Sequence, residues 1–163
     1  GIPRASTIRN REQGFKNALN RLGVGLPPHY QFHSETFTHA SGEFAVTRLL
    51  ELASPPDAIF CVNDVLAVGA MDGARARGVR VPHDLWIVGY DDIEIASWGA
   101  YDLTTVRQPM EQMVGLAIEL LLARIDQRDA PVTHKCLANE LVIRSSTARQ
   151  SLPAPDAPRQ LKR

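Results

Sequence analysis

Excess charge is the first thing this sequence lacks. Its 18 Lys and Arg offset 18 Asp and Glu, a formal net charge of +0. Nothing global therefore draws the chain to nucleic acid or to an anionic membrane surface. Any DNA-reading role has to reside outside these residues. Cysteine is scarce, with Cys61 and Cys136 alone. Two distant cysteines make no disulfide framework, so both are read as reduced thiols and the compartment as cytoplasmic. No run approaches the roughly 20 apolar residues that span a bilayer, and the start carries no signal-peptide pattern. Catalytic signatures are missing too. There is no G-x-S-x-G nucleophile elbow and no G-x-x-x-x-G-K-[ST] phosphate loop. Gly23-Val24-Gly25 lacks the strand before and helix after that dinucleotide binding requires. His29, His33 and His39 lie in one region but have no Cys, Asp or Glu partner at metal-binding spacing. The expectation is a binding protein without catalytic residue, metal or cofactor.

What is present is an alternation of elements. With 163 residues and 44% apolar content, the chain can build one domain with a real core. Residues 6–21 read as a helix, with Ser6 or Thr7 as cap and Phe15, Ala18, Leu19 and Leu22 at helical spacing. A short strand is expected near 31–37, and a second amphipathic helix over 41–52. Residues 58–62, Ala-Ile-Phe-Cys-Val, are a continuous apolar run that suits a strand buried on both faces. Asn63-Asp64 follows and can cap a helix over 65–77, closed by Gly78. Residues 85–88 and 103–106 are two more strands. Pro109 suits the first turn of a long helix, 110–128, whose Met113, Leu116, Leu120, Leu121 and Ile125 form an apolar stripe. Residues 134–138 and 140–144 read as closing strands. Strands alternating with helices imply βαβ units, an α/β fold with a Rossmann-like parallel sheet and flanking helices. Residues 149–163 are proline-rich, lack periodicity and read as a disordered tail. The abrupt opening on Gly1-Ile2-Pro3 reads as the start of a fragment.

In open α/β sheets, ligands bind outside the carboxyl ends of the strands. Two such ends carry polar pairs here, Asn63-Asp64 and Asp91-Asp92. Adjacent parallel strands would bring Asn63 and Asp91 together. An amide and a carboxylate there can hold vicinal hydroxyls, as a sugar, nucleoside or polyol requires. Arg11 could add donors to the same rim. Each feature also has a structural reading. Asn63 or Asp64 can be a helix cap, Asp91-Asp92 a turn, and Arg11 part of a solvated face with Arg9 and Lys16. Trp98 and Tyr101 fit core, ligand wall or interface, and Phe37 fits core or an exposed ring face.

Six motifs follow one another in order. They are residues 59–64 (Ile-Phe-Cys-Val-Asn-Asp), 67–70 (Ala-Val-Gly-Ala), 78–85 (Gly-Val-Arg-Val-Pro-His-Asp-Leu), 88–92 (Val-Gly-Tyr-Asp-Asp), 103–109 (Leu-Thr-Thr-Val-Arg-Gln-Pro) and 141–147 (Leu-Val-Ile-Arg-Ser-Ser-Thr). Together they resemble the effector-binding core of LacI/GalR-family transcriptional regulators, over about residues 6–147. The resemblance implies a type I periplasmic-binding-protein-like fold of two Rossmann-like lobes, a homodimer, and a small effector in the cleft. It implies that residues 1–148 hold mostly the C-terminal lobe, with about 107–130 returning to a missing N-terminal lobe. It carries the family's effector contacts onto Thr7, Arg11, Phe37, Asn63 and Asp91. Tyr101-Asp102 departs from the proline pair usual before Leu103.

The resemblance thus implies a cytoplasmic regulator that senses a sugar-like effector and reaches operator DNA only through a missing N-terminal domain. A periplasmic or transport-associated sugar-binding protein is the alternative, and the motifs at 103–109 and 144–147 favour the regulator. The stripe on 110–127, lacking the first lobe, is expected to drive association.

Overall fold

A computed structural model describes residues 6–129 and 131–148. Helix α1 (Ser6–Arg21) opens the chain, followed by a 3-10 turn at Pro28–Tyr30 and helix α2 (His39–Leu50). Strand β1 (Ala58–Phe60), helix α3 (Asp64–Ala76) and strand β2 (Trp86–Asp91) make a βαβ unit. A 3-10 turn at Glu94–Ser97, strand β3 (Thr104–Arg107), helix α4 (Met110–Asp126), strand β4 (Glu140–Val142) and a final 3-10 turn at Ser145–Thr147 complete it.

The sheet order is β1-β2-β3-β4. β1 and β3 both run parallel to β2, pairing Phe60 with Val88 and Val88 with Thr104. β4 returns antiparallel against β3, Val106 opposite Leu141. The parallel strand ends, and with them Asn63 and Asp91, therefore lie at one edge of the sheet. The core is built by Val46, Leu66, Ala67, Ala70, Leu85, Ile87 and Leu103, all nearly inaccessible. Helices α2 and α3 meet backbone to backbone. A Cβ at Gly42 would overlap the Leu66 carbonyl oxygen, and one at Gly69 the His39 carbonyl oxygen.

Thr38 sets the start of α2, its side chain accepting from the Ser41 N–H, so the helix begins at His39 rather than 41. Two expected strands do not form. Residues 31–37 hold a Ser34–Thr36 turn, in which Ser34 Oγ donates to the Thr36 carbonyl and accepts its N–H. That local pairing competes with a ladder. Residues 134–138 are irregular and, apart from half-buried Leu137, exposed. They have no alternating apolar face to bury, and β3 is already paired through residues 140–142.

Helix α4 forms as expected yet buries none of its residues. Met110, Met113, Val114, Ile118, Leu121, Leu122 and Ile125 are all exposed. No described helix is long and apolar enough to cross a membrane.

Candidate functional site

β2 ends on Asp91 with Asp92 just beyond it, and the backbone there is unusual. Asp91 has φ 117° and Asp92 φ 55°. Non-glycine residues rarely adopt such positive φ, and surrounding bonds must hold them there. The two carboxylates then part company. Asp92 turns toward the sheet's closing segments, taking Arg107 Nε at 2.6 Å and Arg144 Nη2 at 2.7 Å. Burial raises its pKa, but the two arginine bonds outweigh that and hold it below the usual carboxylate range. Asp92 is a structural brace.

Asp91 meets α1. Its Oδ1 lies 3.0 Å from Arg11 Nη2 and accepts from Gln108 Nε2 at 2.7 Å. Burial pushes its pKa up, and the Arg11 charge only partly opposes this.

Arg11 is fixed on three sides. It donates to the Val62 carbonyl at 2.7 Å, pairs with Asp91, and stacks on the Tyr90 ring at 3.7 Å. Its side chain is 14% exposed, which removes the solvated-face reading. The ends of β1 and β2 are thus joined through one guanidinium. Asn63 caps α3, its Oδ1 accepting from the Leu66 N–H at 2.9 Å.

Next to it, Asp64 is wholly buried and bridges the elements. It accepts from Thr105 Oγ1 at 2.6 Å and from the Ile93 N–H at 2.9 Å.

A hollow of about 510 Å³ opens at this edge, lined by Thr7, Asn10, Arg11, Phe15, Tyr90 and Gln108, among others. Of the expected contacts, Thr7 and Arg11 line it, and Asp91 is bonded to two of its walls. Phe37 instead packs half-buried against the core. Asn10, Tyr90 and Gln108 were missed. Tyr90 and Gln108 stood inside quoted motifs, and only the fold shows that they share a hollow. Among the described residues no cluster of His, Cys, Asp or Glu could hold a metal. His39 pairs with Asp72 instead, at 2.8 Å. Tyr101 also donates to Asp72, while Trp98 is half exposed.

A βαβ sheet with a hollow at its strand ends is the architecture of a small-molecule binding lobe. Over residues 1–147 the chain belongs to the periplasmic binding protein-like domain family. Its relatives are LacI-family regulators. The ribose operon repressor of Haemophilus influenzae is 38% identical over 146 residues, 90% of this chain and 44% of that one. A LacI-type transcription regulator from Bifidobacterium animalis superposes with a TM-score of 0.80 at 31% identity, over 90% of this chain and 53% of that one. A LacI-family regulator from Lactobacillus casei with bound sucrose gives 0.74 at 32%, over 90% and 54%. The chain spans about half the length of the relatives it matches.

Proposed function

We propose that the hollow at the ends of β1 and β2 seats a small sugar or related polyol, and that this chain is the sensing core of a transcriptional regulator. The observation that carries the reading is the state of Asp91. It is partly buried, burial raises its pKa, and it is bonded to Arg11 and Gln108, two residues that line the hollow. Its remaining lone pairs suit vicinal hydroxyls, while Arg11 offers donors and the Tyr90 ring a flat apolar face. Thr7, Asn10 and Gln108 complete the contact set. Asn63, whose Oδ1 caps α3, and Phe37, half-buried against the core, do not line the hollow and are left out of this contact set.

The sugar-bound and ribose-operon relatives support this ligand class. Relatives that are repressors favour a cytoplasmic regulator without enzymatic activity over a transport-associated binding protein. In this reading α4 is covered by a second lobe, the intact protein is a homodimer, and operator DNA is read by a part outside these residues. The effector acts by favouring one lobe arrangement over another.

Thermal melting of the chain against D-ribose, sucrose, sugar phosphates and purines tests this. A ligand at a hundredfold its dissociation constant stabilises by about 2.7 kcal/mol, a shift of several degrees for a domain of this size. The shift is expected with a sugar in the wild type and absent in Asp91→Ala. An equal shift in both overturns the assignment.

A further inference from the structure

The closing motif at residues 144–147, Arg-Ser-Ser-Thr, contributes no side chain to the hollow. We infer that Arg144 is nonetheless a positioning residue for that site: by gripping Asp92 it fixes the backbone that presents Asp91 to Arg11 and Gln108.

The chain leaves β2 with φ 117° at Asp91 and 55° at Asp92. Aspartate tolerates positive φ better than most residues, yet such conformations persist only where the surroundings over-determine them. Both flanks are anchored. Tyr90 pairs with Val106 in the sheet, and the Ile93 N–H donates to the buried Asp64. Between these anchors the grip is on the Asp92 carboxylate, which is 8% exposed and faces two arginines.

The two arginines are unequal. Arg107 is 47% exposed and divides itself between Asp92 and Glu140. Such a pair is screened by solvent and constrains little. Arg144 is 13% exposed, and while Nη2 holds Asp92, Nη1 donates to the Leu103 carbonyl at 2.8 Å. Its backbone is tied down as well. The Arg144 N–H donates to Thr104 Oγ1 at 2.8 Å, and the Thr104 hydroxyl lies 3.0 Å from the Arg144 carbonyl oxygen. Two residues on, Ser146 Oγ accepts the Thr104 N–H and donates to the Ile87 carbonyl. The arm that reaches Asp92 is therefore rooted in β2 and β3. Without it, residues 91 and 92 are free to relax toward negative φ, and Asp91 Oδ1 turns away from the Arg11 and Gln108 donors it now accepts from.

The binding arm of the test rests on the sugar reading, and its geometric arm does not. Both use the whole chain, by ¹H–¹⁵N NMR and by isothermal titration with D-ribose and sucrose. In the wild type, Asp92 should give a strong intraresidue HN–Hα NOE, because φ near 60° brings those protons closest. Arg11 should give resolved Nη signals, because its two terminal nitrogens hold different acceptors. Arg144→Met should lose both and weaken sugar affinity by about tenfold or more, the loss expected for one bond to a charged group. Arg144→Met with Asp92→Asn leaves no buried unpaired carboxylate and replaces the single variant should that not fold. Asparagine tolerates positive φ as well as aspartate does, so a lost NOE at position 92 still reports the missing grip. Arg144→Lys can still reach Asp92 and should restore the NOE and most of the affinity. Gly73→Ala crowds Val46 at the remote α2–α3 contact and should change none of these signals, which separates positioning from lost stability. An unchanged NOE at position 92 or unchanged Arg11 signals in a folded Arg144→Met variant overturns the inference. So does an equal loss in Gly73→Ala, or sugar affinity that Arg144→Met leaves intact. If the wild type binds neither sugar, the sugar reading fails alone, and the NOE and the Arg11 signals still decide whether Arg144 positions Asp91.

Discussion

Asp64→Ala is the substitution whose cost the structure fixes best. The carboxylate is inaccessible and accepts two bonds, from Thr105 Oγ1 at 2.6 Å and from the Ile93 N–H at 2.9 Å. Bonds to a charged group contribute about 1.5–3 kcal/mol each. Alanine removes both and leaves the Thr105 hydroxyl, itself inaccessible, without this partner. The expected loss is about 3–5 kcal/mol, a large share of the 5–15 kcal/mol typical of whole domains. Asp64→Asn keeps the shape. Its amide oxygen can accept from Ile93 and its NH₂ can donate to Thr105 Oγ1, so the loss should be about 1–2 kcal/mol, neutral bonds being roughly half as strong. Urea unfolding followed by Trp86 and Trp98 fluorescence measures both. A loss below about 1 kcal/mol for Asp64→Ala would refute the claim that this carboxylate ties α3 to β3 and the loop after β2.

Gly89→Ala should cost about 1–3 kcal/mol in the same assay, because its Cβ would overlap Asp64 Oδ1 and crowd Leu103. Asp92 is depressed in pKa by Arg107 and Arg144 against the opposing effect of burial, so its contribution is full above the unfolded carboxylate value and is lost as pH falls through the folded one. Asp92→Asn should therefore lower stability at neutral pH and flatten the acid limb of the stability profile. Asp91 is raised by burial, the opposite sign, so its ionised form opposes folding once pH exceeds the folded value. Asp91→Asn should leave the ligand-free chain as stable or slightly more stable at neutral pH, measured by the same urea curves, as befits a binding residue rather than a brace.

The βαβ frame was legible because its signals are local. The run at 58–62, the Asn63 cap and the strand into Gly89 each announce themselves within a few residues, and β1, α3 and β2 formed there. The strand expected near 31–37 failed because Phe32 and Phe37 gave only partial alternation, and the Ser34 hydroxyl claimed the backbone. The acid pair Asp91-Asp92 was legible as a candidate site but not as two roles. Which carboxylate meets Arg11 and which meets Arg107 and Arg144 depends on positive φ at both residues. Sequence spacing does not encode that. Asp64 was read as a cap or structural residue. Its partners lie 29 and 41 residues away, a distance that local pattern cannot bridge.

The central claim is that Asp91 holds hydroxyls of a bound sugar beside Arg11. Isothermal titration of the sugar giving the largest melting shift, into wild type, Asp91→Asn and the α4 surface variant Asp126→Asn, tests it most directly. Saturable heat in wild type and Asp126→Asn, absent in Asp91→Asn, is the predicted result. Equal affinity in all three proteins would contradict it and move the effector away from the strand ends.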